Sequence, residues 1–457
     1  MTTFPLSVAA EDASLLTDLY QLTMTACYVG EGLDQRRASF ELFARRLPAD
    51  FGYAIAMGLA QALEYLEAFH LSDRHLDALQ ATGIFAHAPA ALWDTLRDAR
   101  FTGDVWAVPE GTAVFAHEPL LRIEAPLWQA QVVETYLLNT LNYQTLVATR
   151  AARLRDVAGD RAQLLEFGSR RAFSPQGALW AARAAIAGGL DATSNVLAAL
   201  ALGQKPAGTM AHALVMAIAA SAGSEADAFN AFHRYFPGAP LLIDTYDPLR
   251  AARHLATRQR QGAPALAGVR LDSGDLAPLS RQVRDLLPGV PILASGDLDE
   301  FEIARLRSAN ACIDGYGLGT RLVTGAPVNG VYKLVEIDGI PVMKESASKA
   351  TYPGKKQVFR QVRNGQALGD RLGLQAEAKE GEPGDRVPLL VPVMINGIRQ
   401  TPPDSLAAIA QRTRASVLSL PPAVRRVESP ESYPVEVSPA LADLTARTQR
   451  SPLPTPR

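Results

Sequence analysis

Apolar runs of five or six positions recur between residues 162 and 317, each followed by a longer stretch rich in Ala, Leu and Arg. The runs at 162–167, 205–209, 240–244, 267–272, 290–295 and 312–317 have strand character, and the stretches at 175–188, 211–222, 248–260, 275–287 and 299–308 suit helices. Such alternation predicts parallel strands joined by crossover helices. Charged, hydroxyl and glycine residues stand at several strand ends rather than at one switch point, which favours an irregular β/α barrel over a doubly wound sheet.

Outside this region the pattern changes. A long amphipathic helix is expected over 131–156, leading into the barrel, and strand-like segments at 38–43 and 111–117 precede it. Residues 330–336 alternate like a strand, residues 403–419 suit a helix, and 13 of the 31 prolines fall in the last 77 residues. The expected organisation is an N-terminal lobe over 1–130, a barrel over 131–329, and a segment over 330–447 that returns to complete a second α+β lobe. Residues 448–457, with three prolines, are expected to be a disordered tail.

Composition narrows the function classes. The 457 residues are 48% hydrophobic and 20% charged, enough for a large core, and 45 basic against 47 acidic residues give a net charge of -2. That balance points to no nucleic-acid or membrane partner, so an anionic ligand must be met locally. Two distant cysteines, Cys27 and Cys312, and no secretory pattern at the start lead us to expect a cytoplasmic protein. The longest apolar run, 211–222, is too short to span a bilayer.

The strand ends carry the candidate chemistry. Arg270, Asp272 and Asp275 surround Gly274; Ser295, Gly296 and Asp297 follow the next run; Gly317, Gly319 and Thr320 follow the last. Glycines beside a hydroxyl can present backbone N–H groups to phosphate, although the same glycines also serve turn geometry alone. Asp272, Asp275 and Asp297 suit Mg²⁺ or ribose hydroxyls, or, for Asp275 and Asp297, helix capping. Phe167 beside Arg170 and Arg171 suits a flat anion, the alternative being a surface arginine pair. His212 could be a nucleophile or acid/base if Asp244 orients it; the other six histidines show no metal-ligand spacing.

Six ordered segments together resemble the nicotinate phosphoribosyltransferase family: Thr17 to Met24, Phe40 to Arg45, Glu166 to Ala172, Gly208 to His212, Gly268 to Leu276, and Gly317 to Thr320. The resemblance implies an ATP-coupled transfer of phosphoribosyl from phosphoribosyl pyrophosphate to nicotinate, in NAD salvage. It implies that Tyr20, contributed by the neighbouring subunit of a homodimer, and Phe167 sandwich the pyridine ring. Arg170, Thr209 and Arg270 would surround nicotinate and the phosphoribosyl donor. Gly296, Asp297, Gly319 and Thr320 would contact ribose and phosphates, and Asp272 would lie near the diphosphate and its Mg²⁺. His212 would be phosphorylated by ATP, with Asp244 orienting it. Ser194 stands where nicotinamide-preferring relatives carry Asp, which favours nicotinate, and Ala213 departs from a frequent Ser. The rival readings are a nicotinamide or quinolinate phosphoribosyltransferase and a non-catalytic sugar-phosphate-binding barrel.

Overall fold

The computed structural model describes residues 6–344, 351–378 and 386–450. Its contacts divide the chain into two units, Val147–Ala326 and the combination of Met1–Leu146 with Pro327–Arg457. The second helix of a near-continuous pair, Leu127–Val132 and Glu134–Ala158, carries the chain from one unit to the other. The Val147–Ala326 unit therefore opens inside that helix rather than at residue 131.

Six parallel strands form the sheet of this unit: Gln163–Glu166, Ala192–Thr193, Leu241–Leu242, Val269–Leu271, Ile292–Ala294 and Gly315–Leu318. Side by side, the second strand pairs with the first, the first with the last, and the order then runs back through the chain to Leu241–Leu242. That is the circular order of a barrel, and the mixed α/β class is as expected. The ladder itself stays open between Ala192–Thr193 and Leu241–Leu242.

The expected strand at 205–209 falls in this gap and is not a strand. Its sequence, Lys-Pro-Ala-Gly-Thr, explains why: Pro206 has no N–H to give to a ladder, and Gly208 adds backbone freedom with no side chain to pack. The segment is instead attached through the Ala207 N–H to the Thr193 carbonyl at 2.9 Å. Elements that escaped the sequence pattern include the Ala192–Thr193 strand and the Glu225–Tyr235 helix. The second carries a readable start signal, since the Ser224 hydroxyl accepts the Asp227 N–H as an N-cap. Short apolar strands buried between helices make the core; Leu164, Leu241, Val269, Leu271 and Ile292 are all fully buried.

The other unit contains a seven-stranded antiparallel sheet in the order Ile340–Pro341, Gly330–Ile337, Arg37–Ala44, Pro119–Pro126, Asp104–Ala107, Val391–Ile395 and Ile398–Arg399. A four-stranded sheet, a two-stranded one and flanking helices accompany it. Most of 111–117 is not strand; only Ala113–Val114 pairs, with Ala54–Ile55. The segments far apart in sequence are joined by buried charge. Glu41, in the middle of its strand, is completely buried and takes the Lys356 ammonium at 2.9 Å and the Lys356 N–H at 2.8 Å. Arg122, equally buried, donates to Glu124, to the Lys356 carbonyl and to Gln375. A carboxylate or guanidinium this deep is tolerable only when its hydrogen bonds are met.

At the C-terminal end, residues 448–450 belong to the Pro439–Arg450 helix, which corrects the expectation of disorder there; 451–457 lie outside the described residues. Among the described residues no helix is long and apolar enough to cross a membrane.

One buried group makes stability depend on pH. Glu118 is fully buried, its Oε2 accepts the Phe115 N–H, and its Oε1 has no donor although Asp370 lies beside it. Asp370 is already held by both Arg360 nitrogens and the Tyr433 hydroxyl. Burial, then the Asp370 charge, push the Glu118 carboxyl well above its usual range. Protonated, Glu118 can donate to Asp370 instead of repelling it. Because the folded-state value is raised, this contribution is complete below the ordinary glutamate value of 4.5 and is lost as pH rises through the folded-state value. Glu118→Gln keeps the donor without the titration. Denaturation series at increasing pH should show wild type losing stability relative to Glu118→Gln, with a slope of up to about 1.4 kcal/mol per pH unit.

Candidate functional site

Side chains that reach from one strand end to its neighbour hold the C-terminal rim of the parallel sheet together. On the first strand, Glu166 is completely buried. Its Oε1 accepts the Gly168 N–H and its Oε2 accepts the Thr193 hydroxyl of the adjacent strand. Burial raises its carboxyl above the usual range, against the two hydrogen bonds and the nearby Arg170 charge. The Glu166 carbonyl also takes the Ser194 N–H at 2.9 Å. This network fixes the turn that presents Phe167 and Arg170. Phe167 lies across the last strand, where a side chain on Gly317 would sit 2.6 Å from its ring carbons, so only glycine fits there. Arg170 is exposed, and its Nη1 lies 3.3 Å from the Phe167 carbonyl.

Across the open side of the sheet, Arg270 donates from Nη1 to the Thr209 hydroxyl at 2.7 Å. Its buried Nε has no hydrogen-bond partner. Burial lowers the Arg270 guanidinium from its usual value; Asp272 and Asp244 oppose that shift, and the Arg170 charge adds to it. A desolvated guanidinium with a nitrogen left over beside a second cation is a site prepared for an anion.

Asp244 and Asp272 continue the rim. Asp244 is 8% exposed and accepts the Asp272 N–H at 2.7 Å and the Ser273 hydroxyl at 2.8 Å, while its Oδ1 has no partner. The Asp272 Oδ1 accepts the Ser295 hydroxyl from the next strand. The Asp272 carbonyl lies so near Gly296 that a Cβ there would come within 2.2 Å of it, and Gly296 has φ +100°. Glycine is required on both counts. Asp297, next to it, is exposed and adopts a positive φ of 49°. It does not cap the following helix; Asp299 does, accepting the Glu302 N–H at 2.8 Å. Asp275 occupies the N-cap position of Leu276–Leu286 but makes no side-chain cap bond.

His212 opens the His212–Ala222 helix, with its Nδ1 3.1 Å from the Thr245 hydroxyl and its Nε2 3.9 Å from the Asp272 Oδ2. The expected bond from Asp244 is replaced by Thr245. Both donors bonded to Asp244 come from the 272–273 turn, so Asp244 bears on His212 through the placement of Asp272. Both His212 and Asp272 remain partly accessible, at 38% and 37%.

Gly319 and Thr320 begin a four-residue helix, Thr320–Val323, directly after the last strand. The Val147–Ala326 unit thus holds Phe167, Arg170, Ser194, Asp244, Arg270, Asp272, Gly296, Asp297, Gly319 and Thr320 at or just beyond strand ends, and Thr209 and His212 on the segment between Ala192–Thr193 and Leu241–Leu242. Tyr20 belongs to the other unit, on the Leu19–Gly30 helix, where its ring is 47% exposed. Partial burial and Glu134 push its phenol up to about 12. Glu166, Thr193 and Thr245 were given no site role from the sequence. Glu166 and Thr245 end or follow an apolar run, the same signal that marked Arg270 and Asp272, whereas Thr193 follows none.

Three family models cover the chain in order: the nicotinate phosphoribosyltransferase N-terminal domain over residues 15–142, the nicotinate phosphoribosyltransferase family over 162–287, and its C-terminal domain over 377–445. A Mycobacterium tuberculosis nicotinate phosphoribosyltransferase is 43% identical over 452 residues, covering 96% of this chain and 94% of that protein. The Bacillus subtilis nicotinate phosphoribosyltransferase is 38% identical, with 94% of this chain and 93% of the relative covered. The crystal structure of human nicotinic acid phosphoribosyltransferase superimposes with a TM-score of 0.82 at 32% identity, covering 94% of this chain and 99% of the other. The circular strand order, the rim of acids and arginines and these similarities agree, and the chain belongs to the nicotinate phosphoribosyltransferase family.

Proposed function

We propose that this protein transfers the phosphoribosyl group of phosphoribosyl pyrophosphate to the ring nitrogen of nicotinate, giving nicotinate mononucleotide and diphosphate for NAD salvage, with ATP turnover coupled through His212. The observation that carries this reading is Arg270, desolvated, fastened to Thr209 and left with an unpaired Nε beside Arg170. Two guanidinium groups, one of them on the turn that carries Phe167, suit an aromatic acid and an anionic leaving group. Nicotinamide offers no carboxylate to them. Quinolinate brings a second one that needs further cations.

The pyridine nitrogen already has its lone pair, so the reaction needs no strong base. Its N–C1 bond forms as the bond from ribose C1 to diphosphate breaks, through an oxocarbenium-like transition state. Rate then comes from holding the ring in line and stabilising the departing charge. Phe167 supplies one face for the ring, and Tyr20 of a second subunit in a homodimer would supply the other; its exposure supports that role. Gly296 and Gly319 give close backbone approach to the sugar phosphate, with Asp297 and Thr320 beside them.

Among the described residues no group of three or more His, Cys, Asp and Glu could hold a metal on its own. Mg²⁺ usually keeps waters and substrate phosphates as ligands, needing only one or two carboxylates, and the accessible Asp272 Oδ2 fits that demand. Asp272 would hold such an ion, whose chemistry is to neutralise the diphosphate charge. His212 is accessible enough to accept the γ-phosphoryl of ATP, and Thr245 and Asp272 bracket its two ring nitrogens. A cytoplasmic location, where the two distant cysteines Cys27 and Cys312 would stay reduced, is part of this reading.

Purified protein supplied with phosphoribosyl pyrophosphate and ATP should form a mononucleotide from nicotinate in preference to nicotinamide or quinolinate, followed by chromatography of the products. Turnover of quinolinate or nicotinamide with none of nicotinate would overturn the reading. In the same assay Arg270→Ala should lower kcat/KM by about 10²- to 10³-fold, the range for losing a charge-stabilising donor. His212→Ala should abolish the stimulation by ATP while leaving ATP-independent transfer measurable. Unaltered stimulation would remove His212 from the coupling.

A further inference from the structure

We infer that Glu166, a buried carboxylate with no direct place around the ligand, is a positioning residue that sets nicotinate affinity and selectivity by tying together two turns. One turn carries Phe167 and Arg170, and the other carries Ser194. This deepens the proposed function and rests on it for the identity of the pyridine.

Both turns meet on this one side chain. Glu166 Oε1 accepts the Gly168 N–H, next to Phe167 and two residues before Arg170. Glu166 Oε2 accepts the Thr193 hydroxyl, one residue before Ser194. The Thr193 Oγ1 in turn takes the Asn195 N–H at 2.9 Å, so the hydroxyl is held on both sides of Ser194. The backbone repeats the link, with the Ser194 N–H on the Glu166 carbonyl at 2.9 Å. Glu166 is completely inaccessible, so water cannot replace any of these partners.

The turns have little freedom to compensate. A Cβ on Gly168 would lie 2.4 Å from Val323 and 3.0 Å from Glu166 Oε1, and one on Gly317 would strike Phe167. The Glu166 charge also acts on Arg170, whose guanidinium favours the ionised carboxyl. Loss of Glu166 thus alters the spacing and the electrostatics of the pyridine-facing groups. Asp272 and Thr320, on other strand ends, keep their own bonds to Ser295 and the backbone.

The test compares Glu166→Leu and Glu166→Gln with Thr193→Val and Thr193→Ser in the full chain. Glu166→Leu and Thr193→Val should raise KM for nicotinate by about 10- to 100-fold, the size expected when a positioned group shifts by around an ångström. KM for phosphoribosyl pyrophosphate should rise clearly less than KM for nicotinate, since of its groups only Arg170 sits on the tied turns while Asp272 and Thr320 are fastened separately. Thr193→Ser, which keeps the hydroxyl, should restore the wild-type value, and Glu166→Gln, which keeps one of the two acceptor oxygens and loses the charge, should fall between. Equal changes in both KM values, or none in Thr193→Val, would overturn the proposal.

If Glu166→Leu does not fold, the Thr193 pair alone decides. Amide hydrogen exchange at Gly168 and Ser194 gives a readout without substrate: Thr193→Val should speed it at both, and unchanged protection overturns the link. Wild type that ignores nicotinate yet shows this faster exchange in the variant would defeat the assigned substrate while leaving the tie between the turns established.

Discussion

The structure depends on side chains that bridge one strand end to the next. A parallel strand delivers its C-terminal residues to one edge of the sheet, but the backbone ladder stops there and the next two or three residues are left to find their own partners. In this chain Glu166 reaches Thr193, Arg270 reaches Thr209, Asp244 takes the Asp272 turn and Asp272 takes Ser295. The same residue types that bind ligands thus serve as fasteners. The cost of burying Glu166 and Asp244 is offset by the hydrogen bonds they collect, and the product is an edge whose charged groups are fixed before any ligand arrives.

That division of labour explains which roles the sequence disclosed. Arg270, Asp272, Gly296 and Thr320 could be marked because each stands where an apolar run breaks into charge or glycine. Whether a given acid faces ligand or structure was not written in its neighbours. Asp244 has the appearance of a partner for His212 but spends both its bonds on the 272–273 turn, while Thr245, an unremarkable residue beside it, takes the histidine. Only the direction in which consecutive side chains leave the strand distinguishes them, and a segment whose ladder is two residues long carries no alternation from which to read it.

The fold was legible to a similar depth. Helices such as Pro248–Arg260 and Glu300–Ser308 announce themselves through caps and period, with Asp247 and Asp299 accepting the first free N–H groups. The return of the chain at Gly330–Ile337 to pair with Arg37–Ala44 agrees with its alternating pattern. The exact partners did not follow. Glu41 in the middle of a strand reads as a polar interruption until Lys356, 315 positions away, is seen to meet it. Such long-range charge pairs fix register between segments that share no local signal.

The open side of the parallel sheet has a further effect. Between Ala192–Thr193 and Leu241–Leu242 the wall consists of a Pro- and Gly-containing segment attached through the Ala207 N–H and the Thr209 hydroxyl instead of a continuous ladder. Opening a seam of that kind breaks few bonds compared with separating two paired strands. His212 stands three residues beyond Thr209, and the hand that closes the seam belongs to Arg270. The segment before His212 is therefore held by these two bonds, and the histidine itself by its contact with Thr245, so few bonds fix the place of the histidine on this edge.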